Sequence, residues 1–280
     1  MSDYVIFLLI LIAAVSHAVC HSILKKNKNP LGILGVTSII EIIIFTPLVM
    51  SVPLPSNYIW VLIIISAVLH GFYRLLVIFS YRYGDLSFIY PIARGSSSLF
   101  LAIISLFFLT DNISLLGFIA ILIVCIGLFQ ISYSTKKQFN YSAFSLGFLT
   151  AIMITTYTLI DGIGVRNSSN PLTYIYWMLL LNGTPALIVS FLFKDSGLRK
   201  VNKDLVYKGV AFGILAPLAY GLVVWCMQYI PIAYASAMRE TSIIFATLIG
   251  LLILKENAAS KRILPSVIVV MGISILYFQF

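Results

Sequence analysis

The chain has 280 residues, 61% of them hydrophobic and only 10% charged, with a mean hydropathy of +1.06. That usage excludes an ordinary soluble domain and marks a membrane protein. The formal charge of +9 is no nucleic-acid footprint, because most Lys and Arg sit in short loops between apolar runs, where they control topology.

Ten apolar runs follow one another, over residues 4–24, 32–51, 57–80, 85–109, 113–133, 142–162, 171–193, 205–229, 232–254 and 261–279. Each is about long enough to cross a ~30 Å hydrocarbon core as a helix. The first run carries Asp3 in place of a basic leader and has no small-residue cleavage site after it, so it reads as a retained helix. The connections are short except for KDSGLRKVNKD after the seventh run, which makes consecutive helices antiparallel neighbours. Fourteen Lys and Arg lie in or beside the first, third, fifth, seventh and ninth connections, against Arg166 alone on the other side. By the positive-inside rule those five connections are cytoplasmic and both termini face outward. Residue usage rich in Ile, Lys, Asn and Tyr suggests a cell inner (plasma) membrane.

One stretch occurs twice. Residues 90–112 and 235–257 superimpose at an offset of 145, which aligns Arg94 with Arg239, Ser97 with Ser242, Phe100 with Phe245 and Asp111-Asn112 with Glu256-Asn257, and carries on to Gly127 and Gly272. A fainter match sets Asn29-Pro30-Leu31 against Asn170-Pro171-Leu172, placing Glu41 opposite Asn182. The expectation is an all-α polytopic membrane protein of ten transmembrane helices, built as two five-helix repeats over residues 1–136 and 137–280. An odd number of spans per repeat inserts the halves in opposite directions.

Charged residues inside the spans are the candidates for function. Glu41, Arg74, Arg94, Arg239 and Glu240 lie within apolar runs, and Asp161 lies near a run's end. Each costs at least ~2.5–3.5 kcal/mol at a helix centre, so each is expected to face a bundle interior or watery cavity with a partner. Tyr90, Arg94 and Ser97 share one helical face, as do Ala235, Arg239 and Ser242. Two such guanidiniums with hydroxyls alongside suit a carboxylate, phosphonate or phosphate. Glu240 beside Arg239 and Glu41 elsewhere keep a zwitterion or a polar neutral solute open.

The expected substrate-binding set is Arg94, Arg239, Glu240, Tyr90, Ser97, Ser242, Arg74 and Tyr157; Glu41, His70 and Asp161 are candidates for coupling or proton relay. His17, Cys20 and His21 have metal-ligand spacing on one face but no further ligand in view, so no metal site is assigned. The three cysteines show neither a CxxC pair nor a disulfide framework. No phosphate loop, no paired carboxylates on a soluble scaffold and no nucleophile triad occur, so no enzyme and no cofactor are expected.

With ten spans in two repeats, and an acid closing the helix at Asp111 and Glu256, the chain resembles the EamA-type transporters of the drug/metabolite transporter superfamily. The motifs that carry the resemblance are YPIARGSSSLFLAIISLFFLTDN and SAMRETSIIFATLIGLLILKEN. The family's Gly-Glu at the end of helices four and nine reads here as Thr110-Asp111 and Lys255-Glu256, keeping the acid without the glycine. The resemblance implies a central cavity lined by helices 1, 3, 4, 6, 8 and 9, and movement of small metabolites by alternating access, often coupled to protons or to exchange. It also implies cytoplasmic termini in many relatives, against the loop charges here. The resulting expectation is a secondary active transporter of a small polar metabolite, anionic or zwitterionic, such as an amino acid or organic acid, acting in a lipid bilayer as monomer or homodimer without nucleic acid. The alternatives are a flippase for a phosphate-bearing lipid-linked carrier and a non-transporting membrane scaffold.

Overall fold

The computed structural model describes residues 1–25, 29–80, 86–108, 111–134, 141–192, 198, 201–253 and 262–279. Among them the chain is helical with no strand. The helices are α1 (Asp3–Lys25), α2 (Pro30–Val49), α3 (Asn57–Ser80), α4 (Leu86–Phe108), α5 (Leu115–Ser134), α6 (Tyr141–Asn167), α7 (Pro171–Leu192), α8 (Lys203–Cys226), α9 (Ile232–Met238), α10 (Ser242–Leu248) and α11 (Ile263–Tyr277). A 3₁₀ turn at Arg239–Thr241 joins α9 to α10, and a π turn at Ile249–Ile253 follows. The ninth span is therefore broken, where an unbroken helix is expected from its apolar run. Among the described residues nine spans are long and apolar enough to cross a membrane, and α11, with 15 residues, is shorter.

Helix starts follow from local chemistry. Asn29 caps α2 by accepting from the Gly32 N–H at 2.9 Å, with Pro30 at the first helical position, where its missing N–H costs nothing. Asn170 accepts from Leu172 N–H at 3.0 Å ahead of Pro171 in the other half. The repeated Asn-Pro-Leu is thus a helix-start device used twice.

The packing has the symmetry of the repeat. Exchanging each span with the one five places on turns the α1–α8 contact into α6–α3, α2–α8 into α7–α3, and α4–α6 into α10–α1, while α2–α7 and α5–α11 pack across the axis. At the last interface the halves mirror each other at atomic detail. A Cβ on Gly127 would stand 2.7 Å from Val269 Cγ2 and 2.9 Å from the Pro265 carbonyl; one on Gly272 would stand 2.7 Å from Val124 Cγ2 and 2.8 Å from the Ala120 carbonyl. Only glycine lets these backbones approach so closely, the usual basis of tight helix packing in lipid. Large apolar side chains such as Phe107, Phe108 and Leu115 cover the outside, where lipid replaces water as solvent.

Candidate functional site

The bundle holds a partly open cavity of about 130 Å³ between the halves, reached by side chains of α1, α2, α3, α4, α6, α7, α8 and the 3₁₀ turn. Of the residues expected at a site, Glu41, His70, Arg74, Arg94, Tyr157 and Arg239 line it. Tyr90, Ser97, Asp161, Glu240 and Ser242 are not part of its wall.

Two of the three arginines are already paired. Arg74 donates from Nη1 and Nη2 to the two Glu41 oxygens at 3.3 and 3.0 Å. Arg94 donates from Nε to Glu240 Oε2 at 3.1 Å and from Nη2 to Glu240 Oε1. Both Arg94 and Glu240 are buried. This differs from the expected sharing of one anion by Arg94 and Arg239, because the glutamate next to Arg239 in sequence reaches across the pseudo-twofold axis to the other arginine. Burial explains the choice: a guanidinium out of water is stable only with a carboxylate in good geometry.

Arg239 is the exception. It is 3% exposed, lines the cavity, and its Nε and Nη2 have no hydrogen-bond partner among the described residues. Its guanidinium lies 5.5 Å from the centre of the Tyr220 ring, whose face partly offsets the charge.

Asp161 sits behind the wall with four donors. Its Oδ1 accepts from Ser66 Oγ at 2.5 Å and Tyr174 OH at 2.8 Å; its Oδ2 accepts from Tyr220 OH at 2.5 Å and His70 Nε2 at 3.1 Å. Tyr220 therefore touches Asp161 with its hydroxyl and Arg239 with its ring. His70 stacks on Tyr157 at 3.9 Å between ring centres, with Tyr220 edge-on at 5.0 Å and Tyr73 edge-on to Tyr157 at 5.5 Å.

Ser97 donates to the Arg94 carbonyl at 2.9 Å, and Tyr90 OH meets His17 Nε2 at 2.7 Å. His17 and Cys20 lie on the cavity wall, while the side chain of His21 falls outside the described residues. Sequence reasoning assigned no site role to Ser66, Tyr174, Asn182 or Tyr220. The one available signal was at Asn182, a lone amide in an apolar run at the position aligned with Glu41.

A lipid-facing bundle of pseudo-symmetric halves around a charge-lined cavity defines a polytopic membrane protein. Residues 142–278 match the model of the EamA-like transporter family. The second half of the chain thus carries a domain of that family, within the drug/metabolite transporter superfamily, which implies a membrane transporter of that type. One solved crystal structure superimposes with a TM-score of 0.76 over 99% of this chain and 99% of its own, at 12% identity, a likeness of fold alone. A comparison with curated proteins finds no match.

Proposed function

We propose that the protein is a secondary active transporter that carries a small polar metabolite, anionic or zwitterionic, by alternating access of the cavity between its two halves. The observation that carries this reading is Arg239: a buried cation on the cavity wall whose Nε and Nη2 have no partner among the described residues, whereas the two other arginines on that wall, Arg74 and Arg94, are each matched to a glutamate. A permanent charge without a partner in a low-dielectric site is costly, and an incoming anion supplies what the chain does not. A purely bracing role would leave Arg239 paired, as Arg74 and Arg94 are. The cavity volume of about 130 Å³ favours a compact solute.

Two measurements test this. In proteoliposomes and in thermal-shift screens against amino acids, organic acids, phosphonates and choline-like amines, an anionic or zwitterionic class raises the melting temperature and is taken up, and Arg239→Gln loses both effects. The reading is overturned if the variant keeps them or if only amines act. Without solute, Arg239→Gln is expected to be about as stable as wild type, because it removes a buried charge that no carboxylate meets and gives up only the ring contact with Tyr220. A variant that unfolds would show that the arginine braces the bundle.

A further inference from the structure

We propose that a groove on the lipid-facing side of α2, α7 and α8 binds one acyl chain of a bilayer phospholipid, and that the bound chain props the cavity wall from outside.

The repeat shows why this groove is open. In the first half α3 meets α7 where Gly71 takes in Pro185; a Cβ on the glycine would stand 2.5 Å from the proline Cβ, so that seam is shut. The pseudo-symmetry turns this contact into the one between α8 and α2. Leu76-Val77 aligns with Leu222-Val223 at an offset of 146, and the two Asn-Pro-Leu starts align at 141, so Gly71 corresponds to Pro217 and Pro185 to Ile44. Neither is a glycine that could take in the other. Both instead line a groove of about 410 Å³.

Chemistry and length fit an alkyl chain. Every residue lining the groove is uncharged, and Ile214 and Leu218 on its rim are exposed on the face that meets lipid. Along α8 it runs from Trp225, next to the end of the helix, to Gly213, where a Cβ would stand 2.8 Å from Ile40 Cβ and α8 closes on α2. Twelve residues at 1.5 Å each give about 18 Å, close to one leaflet of a ~30 Å core. Trp225 marks the outer end, at the level where aromatic side chains meet headgroups. The chain therefore comes from the leaflet on the side of the α6–α7 connection. Packing drives this binding, because lipid is as apolar as the groove and an unfilled groove forfeits dispersion contacts along its length.

At the inner end groove and cavity share a partition. Leu179 and Pro217 line both. A chain lying against these two side chains fixes one wall of the cavity from behind.

The test uses the full chain, purified in non-ionic detergent, with Trp60→Phe and Trp177→Phe so that Trp225 is the sole tryptophan. Titration with a phosphatidylcholine brominated on its acyl chains should quench Trp225 to a plateau at one lipid per protein. Gly221→Leu aims a side chain at Leu179 and Ile175 in the groove, 3.2 and 3.6 Å from the new Cβ, and should remove the plateau. Leu218→Gln, on the lipid-exposed rim, keeps the packed core intact and should shift the plateau to higher lipid concentration, whereas Val61→Gln on the exposed face of α3 should leave it in place. Quenching that rises without a plateau, or a plateau untouched by both groove variants, overturns the site. For the wall, Ala216→Cys lines the cavity one residue from Pro217. In a chain whose native cysteines are serine, it should lose reactivity towards a soluble maleimide as lipid reaches saturation. Reactivity indifferent to lipid overturns the propping of the wall.

Discussion

Arg94 and Glu240 lie 146 positions apart in sequence and within hydrogen-bonding distance in the bundle, each about 1% exposed. Such a pair is worth little more than a well-packed apolar pair of the same volume, but breaking it from one side strands a charge. Glu240→Gln is therefore expected to cost about 3–5 kcal/mol of stability. Arg94→Met combined with Glu240→Met should recover most of that loss, which thermal unfolding in detergent would show. If single and double variants are equally damaged, the two residues act separately and the pairing is wrong. These partners were not legible in the sequence. Spacing along one helix shows which residues share its face, so Arg94, Arg239 and Glu240 could be singled out by insertion cost alone. It does not show which carboxylate another helix presents to that face. Adjacency pointed Glu240 at Arg239, and the fold sends it to Arg94.

At the level of elements, the spans and their repeat were readable because hydropathy and the Asn-Pro-Leu starts are local properties. The break in the ninth span was not, since residues 232–249 contain neither glycine nor an internal proline to announce it. The 3₁₀ turn carries Arg239 and Glu240 themselves, and Thr241 donates its hydroxyl to the Met238 carbonyl at 2.9 Å, three residues back. A side-chain bond of this kind competes with the regular helical ladder. The contact of α3 with α7 shows the opposite case, where one small residue sets an element's position. A Cβ on Gly71 would stand 2.5 Å from Pro185 Cβ, part of a ring that cannot swing aside. Gly71→Ala is expected to cost about 1–3 kcal/mol by overpacking. It also forces α3, with His70 and Arg74, away from α7, with Asn182. Solute affinity should therefore fall together with the melting temperature. A variant with wild-type values in both would mean that the two helices slide apart without consequence for the cavity.

Across the whole molecule the two ends of the cavity differ. On one side the lining extends to His17 and Cys20 late in α1, Pro30 early in α2 and Val77 late in α3. On the other, Arg166 at the end of α6 closes a latch. Its Nε and Nη2 donate to the Met227 and Ile230 carbonyls at 2.7 and 2.9 Å, and its Nη1 to Asp111 Oδ1 at 2.6 Å. Asp111 Oδ2 in turn accepts from the Ile232 N–H at 3.0 Å. One ion pair thus ties the α4–α5 connection of the first half to the ends of α6, α8 and α9 in the second, and under the proposed alternating access it would have to part. The same Asp111 is the acid that closes the repeated motif. Loss of a buffered, partly exposed pair with two carbonyl bonds is expected to shift the balance between the two faces about tenfold. In a chain with its cysteines replaced by serine and Ala216→Cys placed on the cavity wall, an impermeant maleimide should label from the side of the α1–α2 connection. Arg166→Gln should reduce that labelling and allow it from the opposite side. Labelling from one side only, unchanged by the substitution, would mean that Arg166 fastens the ends of these helices without controlling which way the cavity opens.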